Sequence, residues 1–258
     1  MLILAIDIGN SRIKWGLARD QNLLVIENAA LEEEDAVVAR LRLLPMPQRV
    51  VVANVAGDKG AFILKALPNL WPTSEVIKIS ALPFAAGITN TYDPPESLGV
   101  DRFAALVGAW HLFRRPCLIA NVGTALTVDC LDDHGVFVGG VIVPGMRLLG
   151  KALSQYTAGV KKIEGVKKDL PQTTGDAVTT GSLLALAGTI TLMREKFLRV
   201  GPHEVILTGG DATVIGDMLT FPYRMAPNIV LQGLVELALA AHLFQSRSPV
   251  NASKSCSK

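Results

Sequence analysis

The chain opens Leu2-Ile3-Leu4-Ala5-Ile6-Asp7-Ile8-Gly9-Asn10-Ser11-Arg12-Ile13-Lys14, and the heart of that stretch returns as Ile119-Ala120-Asn121-Val122-Gly123-Thr124-Ala125. Each copy is an apolar strand that runs into a polar residue, a glycine and a small hydroxyl or amide. Each leads into further strand-like sequence, Ile13–Leu17 in the first and Leu126–Asp129 in the second. A continuous apolar run such as Leu2–Ile8 is expected of a strand covered on both faces. Two matching hairpins in two halves imply a duplicated α/β domain with a cleft between, where a nucleotide phosphate chain could lie between two glycine turns.

Working outward, each half shows the same order of elements. In the first, strand-like Leu2–Ile8, Ile13–Ala18 and Leu23–Glu27 precede a helix within Leu31–Leu44, whose leading acids Glu32–Asp35 suit a helix N-terminus. Arg49–Val55 and Glu75–Ile79 read as strands, Lys59–Leu67 and Val100–Phe113 as helices. In the second, Leu118–Asn121, Ala125–Leu131, Val136–Val143 and Glu204–Thr208 read as strands, with a turn at Asp132–Gly135. Met146–Ser154, Asp176–Phe197 and Ile229–Phe244 read as helices. The pattern predicts α/β architecture with mixed sheets flanked by helices, an N-terminal domain over 1–115, a C-terminal domain over 116–245 and a disordered tail over 246–258.

Composition agrees. Half of the 258 residues are hydrophobic and 5% aromatic, the aliphatic palette of an α/β enzyme. With 25 basic and 23 acidic residues the net charge is +2, which gives no support to a nucleic-acid surface. Cys117, Cys130 and Cys256 lack the spacing of a disulfide framework or a zinc site, and the expected compartment is the cytoplasm. Asp7 interrupts the apolar start, so it reads as a first strand rather than a signal peptide, and no membrane span is expected.

The chemistry-bearing residues gather in a few places. Asp7 ends a buried strand, where a carboxylate is expensive unless it is used or caps its own turn. Gly9 permits close backbone approach; Asn10, Ser11 and the turn amides offer donors, and Lys14 a positive charge. Asp101 and Arg102 open a helix behind Gly99-Val100, placing a base, a forked cation and free amides together. Tyr92, in the preceding loop, could bond a ligand. Thr173-Thr174 could touch a ligand or cap the next helix, and Gly209-Gly210 could let an adenine or ribose lie against the backbone or serve as a plain turn. The four histidines are scattered without metal-ligand spacing. The P-loop, the dinucleotide fingerprint and the protein-kinase signatures are all missing. The residues alone read as an ATP-dependent small-molecule kinase.

The set Asp7-x-Gly-Asn-Ser with Lys14, Gly99-Val-Asp-Arg102, Asn121-x-Gly-Thr-Ala125 and Thr173-Thr174 resembles type III pantothenate kinases, from the first strand to the last helix. The resemblance implies two ribonuclease-H-like domains of the actin and sugar-kinase superfamily, and ATP-dependent phosphorylation of pantothenate at the first step of coenzyme A synthesis. It also implies a homodimer. Asp7, Ile8, Gly9, Asn10, Ser11, Arg12, Ile13 and Lys14 would form the phosphate loop, with Asp7 organising Mg²⁺ and Thr124 contacting ATP. Asp101 would be the general base; Tyr92, Gly99, Val100, Asp101, Arg102 and Thr174 would hold pantothenate, Arg102 pairing with its carboxylate. Where the family usually carries Asp, this chain carries Asn121, so a monovalent-cation site for K⁺ or NH₄⁺ is expected to be weakened or absent. Asp129 is a further acid near that strand pair. The alternative from another class is a non-enzymatic transcriptional accessory protein on the same scaffold, which intact Asp7, Asp101 and Arg102 argue against.

Overall fold

A computed structural model describes residues 1–160, 164–201 and 203–245, with 241–245 as backbone only; the tail expected at 246–258 lies outside the described residues. The first half contains β1 (Leu2–Ile8), β2 (Arg12–Arg19), β3 (Asn22–Ala30), α1 (Glu34–Arg42), β4 (Arg49–Asn54), α2 (Ala61–Leu70), β5 (Glu75–Lys78), a small hairpin of β6 (Phe84–Ala85) and β7 (Ile88–Thr89), and α3 (Val100–Phe113). The second contains β8 (Cys117–Val122), β9 (Ala125–Leu131), β10 (Phe137–Pro144), α4 (Met146–Tyr156), α5 (Thr174–Leu198), β11 (Glu204–Thr208), α6 (Ala212–Gly216), β12 (Arg224–Met225) and α7 (Ile229–Gln245).

The duplication is visible strand by strand. One sheet runs β3-β2-β1-β4-β5 and the other β10-β9-β8-β11-β12. In each, the strand that carries the motif pairs antiparallel with the next strand and parallel with the fourth. Asp7 stands opposite Lys14 and Ala53; Asn121, its counterpart, stands opposite Thr127 and Thr208.

Unbroken apolar strands are explained by cover on both faces. Leu4, Ile6 and Ile8 face a core made with Val37, Leu41, Ile63 and Leu67 of α1 and α2. Ile3 and Ala5 face a central core with Phe103, Leu106, Leu231 and Leu234 of α3 and α7. On β8, Cys117 and Ile119 join that same central core, while Leu118, Ala120 and Val122 face α5 and α6. The layers are therefore helices, sheet, helices, sheet, helices. The chain position near Arg114–Pro116 divides the sheets but not the helices: α7, last in the chain, lies on the first sheet, and Arg49 of β4 donates to the Ala238 carbonyl of α7.

The central helices cross at glycines. A Cβ on Gly233 would collide with the Ala104 carbonyl, and one on Gly108 with the Ile229 carbonyl. Gly233→Ala would gain about 1 kcal/mol of helix propensity and lose more to overpacking, for an expected net destabilisation of about 2 kcal/mol in a urea titration. A neutral result would show that α3 and α7 can separate freely.

Sequence reading located the long elements to within a few residues and missed the β6–β7 hairpin, α6 and β12, each too short to show a period. The long helix read over Asp176–Phe197 is α5, which among the described helices is long and apolar enough to cross a membrane by composition. Leu183, Leu186, Ile190 and Phe197 bury one side of it against the second sheet, whereas Leu184 and Leu192 are 57% and 60% exposed.

Candidate active site

The two hairpin turns face one large cleft of about 1060 Å³ between the sheets. Asp7, Gly9, Asn10, Ser11, Arg12 and Lys14 line it from the first sheet, Asn121, Gly123, Thr124, Ala125 and Thr127 from the second. The turns close similarly: Gly9 N donates 2.9 Å to the Arg12 carbonyl, and Gly123 N donates 3.0 Å to the Ala125 carbonyl, one residue nearer. They meet where the Ser11 and Thr124 hydroxyl oxygens are 2.9 Å apart, a bond spanning the two halves. Ile8 and Ile13 of the expected phosphate loop are wholly buried, so only their backbone serves the turn.

Asp7 lies at the cleft end of β1, and burial there pushes its carboxyl up to about 7. The charge of Asp101 adds to the rise and Lys14 opposes it. A carboxylate so poorly compensated fits a site completed by a cation, and Mg²⁺ escorting a phosphate chain is the cation such oxygens suit.

Asp101, in the first turn of α3, lines the same cleft. Its Oδ1 accepts the Arg102 N–H at 2.9 Å, and its other oxygen has no hydrogen-bond partner among the described residues. Arg102 is engaged inside the protein rather than standing free on the cleft wall. It is 4% exposed and stands off the cleft lining. Its Nε donates 3.1 Å to both Asp129 oxygens, its Nη2 lies 2.5 Å from Asp129 Oδ1, and its Nη1 donates 3.0 Å to Tyr92 Oη. The guanidinium also lies over the Tyr92 and Phe137 rings, at 5.5 and 5.8 Å. A buried arginine requires such a partner. The sequence offered Asp129 as a nearby acid without showing what it pairs with. Burial holds the Asp129 carboxyl above its ordinary value, with the Arg102 pair opposing the rise.

Tyr92, Gly99 and Val100 group with Arg102 behind Asp101 rather than on the cleft wall. Thr174 opens α5 and is exposed away from the cleft; Thr173 is the cap, its Oγ1 accepting from Asp176 N at 3.2 Å. Gly209 and Gly210 do line the cleft. Gly209 has φ +96°, and a Cβ there would collide with the Val122 carbonyl, so the β11 turn depends on glycine. Reasoning from sequence missed Arg147, Asp211 and Asn228 on the lining, because no local pattern marks them.

Two sheets of one topology, joined across paired glycine turns, make the duplicated α/β fold that the resemblance to the actin and sugar-kinase superfamily implies. The solved structures agree at the level of fold: a Campylobacter jejuni protein described as a Baf family transcriptional activator matches with TM-score 0.61 at 19% identity, over 93% of this chain and 99% of its own. The activator of 2-hydroxyisocaproyl-CoA dehydratase from Clostridium difficile, with bound ADPNP, matches with TM-score 0.52 at 12% identity, over 98% of this chain and 100% of its own. Residues 3–196 match the family model for type III pantothenate kinase. Type III pantothenate kinases from Nitrosospira multiformis and Aromatoleum aromaticum are 40% and 39% identical, each over 92% of this chain and over 91% and 98% of their own lengths. The chain belongs to the type III pantothenate kinase family.

Proposed function

We propose that this chain transfers the γ-phosphoryl group of ATP to the primary hydroxyl of pantothenate, giving 4'-phosphopantothenate for coenzyme A synthesis. The observation that carries the reading is one cleft in which Asp7, the paired glycine turns and Asp101 meet, in a chain of this family.

Phosphoryl transfer of this kind needs alignment and charge neutralisation more than covalent catalysis. The amides and hydroxyls at Gly9–Ser11 and Gly123–Thr124 hold the phosphate chain from two sides. Mg²⁺, held through Asp7, supplies charge neutralisation on the phosphates when bound. Asp101 accepts the pantothenate hydroxyl proton late, because an alcohol is too weak an acid to ionise first. Arg102, clamped by Asp129 and Tyr92, fixes the α3 N-terminus to β9 and so holds Asp101 on the cleft wall.

The finer readings follow. With Asn121 in place of the usual Asp, K⁺ or NH₄⁺ stimulates little over Na⁺, and Asn121→Asp increases the response. If native activity depends strongly on K⁺, Asn121 does not weaken that site. The enzyme acts in the cytoplasm, without nucleic-acid or membrane partners. It is a homodimer, a reading supported by the exposed Leu184 and Leu192 of α5; a monomer mass in light scattering would remove it.

A coupled ADP-release assay, with and without pantothenate, tests the main reading. Pantothenate-dependent release is expected. ATP turnover indifferent to pantothenate would point to another phosphotransferase of this fold, and a protein that binds no ATP would revive the regulatory alternative.

A further inference from the structure

A triphosphate brings several negative charges into a cleft that already holds Asp7, Glu27, Asp101 and Asp211 against Arg12, Lys14 and Arg147. Two of those cations are engaged. Arg12 Nε donates 3.1 Å to Asn28 Oδ1, and Lys14 faces Asp7 across β1 and β2, favouring its ionised form. Arg147 has neither a hydrogen bond nor an ion pair among the described residues.

The main chain fixes where Arg147 sits. Gly145 N donates 2.9 Å to the Thr124 carbonyl, and a Cβ on Gly145 would collide with the Gly123 carbonyl. The first turn of α4 is thereby pressed against the second glycine turn, which meets the first through the Ser11 and Thr124 hydroxyls. Arg147 is the second residue of α4. Its own N–H precedes the first intrahelical bond, from Leu149 N to the Gly145 carbonyl, so the cation and the free amides of this turn favour an anion at the same place.

We propose that Arg147 binds the phosphate chain of ATP, its forked guanidinium closing on the phosphates from the second sheet while Lys14 approaches from the first. This rests on the ATP-dependent reading above. A carboxylate would suit the same fork, but the first turn of α4 is seated through Gly145 on the Gly123–Thr124 turn, which favours phosphate, and the test separates the two.

The test compares full-length native protein with Arg147→Gln and Arg147→Lys, titrating ATP and AMP directly and measuring both Michaelis constants. Loss of a charge-assisted fork should weaken ATP roughly ten- to a hundredfold, and leave AMP, which lacks the β- and γ-phosphates, within about twofold. The Lys variant should fall between, keeping charge without the fork. Because Arg147 has no partner among the described residues, the ligand-free variants should melt with the native protein. Native ATP affinity in Arg147→Gln would overturn the proposal. So would an effect confined to the KM for pantothenate, which would make Arg147 a carboxylate anchor. A native protein that binds no ATP would instead remove the reading on which the proposal rests.

Discussion

Asp101→Asn should fold and bind both substrates, yet lose about 10²–10⁴ in kcat, the range a positioned general base contributes. The substitution keeps the shape of the side chain and puts an amide oxygen where Oδ1 accepts, so the bond from Arg102 N–H to position 101 at the start of α3 can persist. On the proposed mechanism, what disappears is the acceptor for the substrate hydroxyl proton. The expected signature is a fall in kcat with Michaelis constants near native, and an unchanged thermal midpoint apart from relief of repulsion between Asp7 and Asp101. A kcat within about threefold of native would fall far short of a general base's usual contribution and would leave alignment alone as the source of rate. The Arg102–Asp129 pair supplies a contrast. Asp129→Asn leaves a buried guanidinium without its countercharge and should destabilise the protein by about 3 kcal/mol. Its effect should appear first in melting and only then in rate, whereas Asp101→Asn should lower the rate with no loss of stability.

The sequence carried the architecture because the signals that determine it are periodic and repeated. Unbroken runs such as Leu2–Ile8 announce strands with two buried faces, and the two glycine hairpins announce equivalent positions in two sheets. It also found the cleft-facing residues that belong to those hairpins. It did not find where the last helix goes. The small residues Gly108 and Gly233 permit the α3–α7 crossing, but a glycine in a helix does not name its partner. It grouped Arg102 with the ligand-facing residues, since an arginine beside an aspartate at a helix start resembles a ligand clamp; only three dimensions bring Asp129 and Tyr92 to it. Arg147, a lone arginine in an amphipathic helix, has no sequence mark at all. Its interest arises from a contact between Gly145 and Thr124, residues in different elements.

Asp7→Asn should abolish Mg²⁺-dependent activity and, in the ligand-free protein, raise stability. The sign follows from the carboxyl being pushed from 3.8 to about 7 on folding. The folded protein holds this proton more tightly than the unfolded chain, so the stabilising contribution is complete below about pH 4 and is lost as pH rises through about 7. At pH 8 the native enzyme carries the whole penalty of an ionised, partly buried Asp7 beside Asp101. A shift of this size corresponds to at most about 4 kcal/mol, and water reaching the cleft reduces it to about 2. Asn bears no charge at any pH, so Asp7→Asn should melt several degrees above native at pH 8 in EDTA, with the gap narrowing towards pH 5. Added Mg²⁺ and ATP should then stabilise the native protein and leave the variant nearly unmoved. Equal melting temperatures at pH 8, or a gap that widens on acidification, would mean that Asp7 is compensated within the protein and that its charge is not being kept for a cation. The predicted trade of stability for activity at one residue is the physical mark of a site that the protein alone leaves incomplete.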